Sequence, residues 1–103
     1  MQAILQTDAN KVTLKIAGSL NFADNKEWRV RVLEFLEKEG TQHLLDMTEL
    51  DDLDSAGLGM MLAMQKWGKD RGREVKLKFD PESTAGGMLR LAKFDEMFGS
   101  IGG

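Results

Sequence analysis

A chain of 103 residues, 42 % of them hydrophobic, suits one domain over residues 1–103. A domain of that length buries roughly two-thirds of its unfolded surface without needing staples. It has no cysteine, which excludes disulfides and thiolate metal sites. The net charge is −3 with no basic block, which argues against nucleic acid as a partner.

No apolar run approaches the ~18 residues of a spanning helix, and the N-terminus lacks a basic, apolar, small-residue leader pattern. The expectation is a cytoplasmic protein without membrane insertion. Residues 3–7 and 11–17 read as two strands joined by a short Asp8-Ala9-Asn10 turn, hence as an antiparallel pair. Val12, Leu14 and Ile16 alternate with Thr13 and Lys15, as on a strand buried on one face.

A helix should start at Asp24, an N-cap with Glu27 three residues on as its capping-box partner. Trp28, Val32, Phe35 and Leu36 form one apolar stripe on it. Glu27–Arg31 and Glu34–Lys38 are candidate i,i+4 pairs on the wet side, and Gly40 is a natural stop. His43 to Met47 is a short strand. Residues 55–71 form a second helix, and Val75, Leu77 and Phe79 mark a further strand. Asp80-Pro81-Glu82 resembles the opening of a third helix that runs to about Lys93, weakened by Gly86-Gly87. Phe94 to Ile101 is too short to assign. The order ββαβαβα predicts an α/β fold. It has a mixed sheet, an antiparallel first pair and helices mainly packed on one face.

The stretch from Asp46 to Asp54 carries five acids, Asp46, Glu49, Asp51, Asp52 and Asp54. It fails as a calcium loop: counted from Asp52, positions 5 and 12 are Ala56 and Ala63, which have no oxygen ligand to offer. A solvated acidic loop feeding a helix N-terminus is the simpler account. The single histidine, His43, lies about 10 Å from that loop if its strand stays extended, the wrong end to serve Ser55 as a base. No phosphate-binding glycine loop is present. No catalytic residue, cofactor or metal is therefore expected, and no enzyme.

Asp54-Ser55-Ala56-Gly57-Leu58-Gly59 places a hydroxyl between these acids and an apolar helix. Ser55 could cap the helix, accept a phosphate, or do both. Residues 56–64 contain no charge. Either both flanks of this helix are covered, or Met60 and Met64 leave an apolar edge for a partner.

The order ββαβαβα and the run Leu44-Leu45-Asp46-Met47, through Leu50 and Leu53, to Asp54-Ser55-Ala56-Gly57-Leu58-Gly59 resemble STAS domains, the sulphate-transporter and anti-sigma-factor-antagonist domains. The Gly18-Ser19-Leu20 turn and Gly72 also fit, so the resemblance covers essentially the whole chain. The resemblance to stand-alone members implies phosphorylation of Ser55 by a serine kinase of the histidine-kinase-like ATPase fold. It implies reversal by a PP2C-type phosphatase, and binding of the kinase or an anti-sigma factor by the unphosphorylated form. Partner-binding residues would then be Asn21, Phe22, Asp24, Asp51, Asp52, Asp54, Ala56, Gly57, Met60 and Met64, on a monomer or weak dimer. Asn21 stands where many such antagonists carry an acid. STAS proteins also serve transporter assemblies as subunits without phosphorylation, which is the alternative.

Overall fold

The computed structural model describes residues 1–94. Strand β1 (Gln2–Asp8) pairs antiparallel with β2 (Lys11–Leu20), as the short turn predicts. Ala9, at positive φ, makes that turn. A 3₁₀ turn (Phe22–Asp24) leads into α1 (Asn25–Glu37), and β3 (Gln42–Leu53) then lies parallel to β2. Helix α2 (Ser55–Asp70), strand β4 (Val75–Lys78) and helix α3 (Thr84–Leu91) complete the described order. The sheet runs β1-β2-β3-β4, with β4 parallel to β3.

One face of the sheet carries the core. Val12, Leu14 and Ile16 of β2, Leu45 and Met47 of β3, and Val75 and Leu77 of β4 are buried there against Trp28, Val32, Phe35 and Leu36 of α1. The opposite face holds Thr13, Lys15, Lys76 and Lys78, all half-exposed. Leu44 is buried on that wet face, outside the main cluster, between Thr13 and Lys76 in register. Lysine stems can cover it while their ammonium groups stay in water.

Strand β3 is longer than expected. The acids of 46–54 break the apolar alternation, yet the chain stays extended to Leu53. Two register shifts against β2, between Lys15 and Ala17 and between Gly18 and Ser19, each insert one extra residue into β3. They convert the three-residue spacing of Met47, Leu50 and Leu53 into three inward-facing side chains, all buried. Gly18, at φ +82°, sits at the second shift, inside β2 and not in a turn beyond it.

Four further local expectations are corrected. Gly40 does not close α1 by a left-handed cap; a Cβ there would lie 2.7 Å from the Asn10 carbonyl oxygen, so close backbone approach requires glycine. Helix α3 is capped by Ser83, whose hydroxyl accepts from Gly86 N–H at 2.9 Å. Asp80 instead accepts from Glu82 N–H at 2.9 Å in a turn before the helix. Gly86 packs where any Cβ would collide with the Asp80 carbonyl, so this glycine serves packing and is not merely a weak point. Glu27–Arg31 and Glu34–Lys38 are not among the ion pairs of the described residues. Phe94 is buried, and the remainder of the unassigned 94–101 stretch lies outside the described residues.

Candidate functional site

Strands β2 and β3 end side by side at Leu20 and Leu53. The next residue of each, Asn21 and Asp54, therefore leaves the sheet at the same edge, and each caps the helical turn that begins there. Asn21 Oδ1 accepts from Ala23 N–H at 2.9 Å, and Asp24 Oδ2 accepts from Asn21 N–H at 3.0 Å. This reciprocal pair is a capping box for the 3₁₀ turn. Asp24 thus occupies the position before α1, but its side chain does not cap that helix. Its other oxygen, Oδ1, lies 3.4 Å from the Met1 ammonium.

Asp54 is extended (φ −99°, ψ −179°), its carbonyl accepts the first α2 bond from Leu58 N–H, and its carboxylate accepts from Gly57 N–H at 2.8 Å. Asp54 is therefore the N-cap of α2, and Ser55 is the first helical residue. Ser55 is exposed, and its hydroxyl makes no hydrogen bond among the described residues. Both residues are good caps, but the β2–β3 register fixes which one leaves the sheet extended. Ser55 is therefore not the side-chain cap of α2.

The neighbourhood is acidic. Asp51, Asp52 and Asp54 are exposed, and none forms an ion pair among the described residues. Against this, the α2 N-terminus favours negative charge. Among the described residues, no three His, Asp or Glu side chains converge as a metal site, and no helix is long and apolar enough to cross a membrane.

Residues 4–99 match the family model described as Mlab, STAS domain. The chain belongs to the STAS domain family. Its fold is shared by solved structures of low identity. A Thermotoga maritima protein is 20 % identical over 95 % of this chain and 84 % of its own, with a TM-score of 0.78. An anti-sigma factor antagonist from Mycobacterium paratuberculosis is 12 % identical over 96 % and 83 %, with a TM-score of 0.73. The Bacillus cell fate determinant SpoIIAA, in its phosphorylated form, is 14 % identical over 99 % and 91 %, with a TM-score of 0.70. The mixed sheet with helices on one face is the STAS architecture.

In this STAS domain the candidate residues separate into surface and core. Asn21, Phe22, Asp24, Asp51, Asp52, Asp54, Ser55 and Ala56 keep accessible surface around the β2 and β3 ends. Gly57 does not: it is buried, and a Cβ there would lie 2.6 Å from the Leu20 carbonyl oxygen. It lets α2 start against the end of β2 and offers nothing to a partner. Met64 is 0 % exposed and is a core residue, and Met60, at 8 %, is mostly core with a small outward face. The methionines of the uncharged stretch are thus covered, while Ala56, Gly59 and Ala63 keep accessible surface. The exposed apolar side chain of this helix is Leu62.

What the sequence did not reveal is a groove between α1 and α2. About 370 Å³ in volume, it is lined by Phe22, Trp28, Arg29, Ala56, Gly59, Met60, Ala63 and Trp67, with Asn25 at its edge. Arg29 Cζ stands 5.7 Å from the Trp67 ring centroid and spans one end of it. Arg29 carries no local signal for this role, because the contact joins residues on two different helices.

His43 lies at the other end of β3, as expected. It is 3 % exposed, its Nε2–H donates to the Lys38 carbonyl at 2.9 Å, and it meets Phe35 edge-on at 5.3 Å. Burial holds its pKa below the ordinary 6.5; the Arg73 charge adds to this, and the Lys38 bond opposes it. The unfolded chain then binds the proton more readily than the folded one. Stability contributed by neutral His43 is complete above the unfolded value of about 6.5 and falls as pH drops towards the folded one. Urea denaturation should show lower stability at pH 5.5 than at 7.5, and His43→Gln should flatten that difference.

Proposed function

We propose that this STAS domain is a non-enzymatic, cytoplasmic protein-interaction switch of the anti-sigma factor antagonist type, controlled by reversible phosphorylation of Ser55. The partners in this reading are an anti-sigma factor or related serine kinase, and a PP2C-type phosphatase that resets the switch. The observation that carries it is the division of labour at the start of α2. Asp54 provides the cap, which leaves the Ser55 hydroxyl exposed and uncommitted. SpoIIAA, an anti-sigma factor antagonist, has been solved in unphosphorylated and phosphorylated forms, and both share this fold, with TM-scores of 0.66 and 0.70. That supports a switch working through surface charge.

A phosphate would add roughly −1.5 to −2 charge beside Asp51, Asp52 and Asp54. The helix dipole tolerates it locally, so the domain stays folded, while a partner closing over the site would have to desolvate a dense negative patch. The test is incubation with the cognate kinase and ATP, followed by phosphosite mapping. Phosphate on Ser55 is expected; an active kinase that leaves Ser55 unmodified overturns the proposal.

The alternative is a phosphorylation-independent STAS subunit of a transporter or other assembly. It is favoured by the absence of Lys, Arg and His from residues 51–57, and by Asn21, whose side chain is engaged in capping. The matching family model is also described through Mlab and not through an antagonist. In that case Ser55→Ala would bind its partner normally and no phosphorylated form would accumulate.

A further inference from the structure

The groove between α1 and α2 has two chemically different ends. Ala56 and Phe22 lie at the end where Asp54 caps α2; Asp54 is exposed and, like Asp51 and Asp52 at the end of β3, has no ion-pair partner among the described residues. Trp67 lies at the other end, eleven residues along α2 from Ala56, about 16 Å of helix at a rise of 1.5 Å per residue, and the Arg29 side chain reaches its ring from the N-terminal part of α1. The Arg29 guanidinium rests on the Trp67 ring and has no carboxylate partner among the described residues. Between the ends the lining is apolar and low. Gly59 has no side chain and Ala63 only a methyl, a Cβ at Gly59 would meet open space, and Met60 lies at the floor above the buried Trp28. Phe22 stands 74 % exposed as one wall. A large aromatic in that state is an anchor looking for a counterpart.

We propose that this groove receives one amphipathic helix of the partner protein, oriented by charge. A large apolar side chain of that helix packs between Phe22 and Trp67 over Gly59. A Lys or Arg at one end faces Asp51, Asp52 and Asp54, and an Asp or Glu some three turns away reaches Arg29. The apolar contact supplies affinity, and the opposed end charges fix the register and reject helices of uniform charge. This rests on the protein-interaction reading above and specifies the chemistry of the partner.

The test uses three end-blocked synthetic helices of about 15 residues, roughly four turns, that share one Leu/Phe stripe. One carries Lys at one end and Glu at the other, one has Lys at both ends, and one has Glu at both. Binding is followed by ¹H–¹⁵N NMR on the whole chain. The mixed peptide should shift the Gly59 and Ala63 amides and the Trp67 indole, and bind at least tenfold more tightly than the all-Glu peptide. Arg29→Glu, an exposed substitution, should make the all-Lys peptide the tightest ligand. Absence of groove shifts, or an unchanged order of affinities in Arg29→Glu, overturns the proposal. Concentration-dependent shifts of the same amides without peptide would assign the groove to a second copy of the chain and also overturn it. Mixed-peptide binding that is as tight or tighter in Ser55→Asp would uphold the groove while counting against the phosphorylation switch.

Discussion

Trp28→Ala should lower the unfolding free energy by about 3–5 kcal/mol, the usual range for removing a fully buried tryptophan. Trp28 is 0 % exposed, and its indole N–H donates to the Met60 carbonyl at 3.1 Å, a buried bond between α1 and α2. Its removal would leave a cavity in the core cluster and break that tie between the helices. For a domain with roughly 5–15 kcal/mol of total stability, the loss consumes a large fraction of it. Trp28→Phe retains most of the apolar volume and loses the hydrogen bond, so it should cost about 1–3 kcal/mol. Urea titration followed by far-UV circular dichroism measures both. A loss below about 1 kcal/mol for Trp28→Ala would mean that the contact between the two helices is not what holds α2 in place.

Ser55→Asp should weaken partner binding by at least tenfold, about 1.4 kcal/mol, while Ser55→Ala stays within a few-fold of wild type. The added carboxylate would join Asp51, Asp52 and Asp54 at an exposed edge. In the free protein its repulsion is screened by water and offset by the α2 dipole, so stability should change by no more than about 1 kcal/mol. In a complex that excludes water the same charge is far more costly. Titration calorimetry against the isolated kinase or anti-sigma partner reads the affinity, and thermal unfolding confirms that both variants remain folded. Equal weakening by Ala and Asp would point to the hydroxyl itself as a contact.

The parts of the fold governed by local period were legible in the sequence. The α1 stripe of Trp28, Val32, Phe35 and Leu36 and the alternation of Val12, Leu14 and Ile16 hold as read. The parts governed by register were not. The acidic stretch after Asp46 has the composition of a loop, and only pairing with β2, with its two inserted residues, reveals why Leu50 and Leu53 both point inward. The caps show the same effect. Asn21 and Asp24, Asp54 and Ser55, and Asp80 and Ser83 each offer more than one competent side chain, and the point where the chain leaves its strand or turn decides between them. The methionines of α2 were ambiguous because an uncharged helix suits both a core and an interface. Met64 is completely buried in the core cluster. The groove with Arg29 and Trp67 lay beyond any local pattern, since it exists only where two helices meet.

The most direct measurement of the proposed switch starts from a preformed complex of this chain with the serine kinase proposed as its partner, to which ATP is added while complex size and Ser55 phosphorylation are monitored together. Dissociation in step with phosphate on Ser55, and reassembly after PP2C-type phosphatase treatment, is the predicted result. A complex that persists with Ser55 stoichiometrically phosphorylated would contradict the switch.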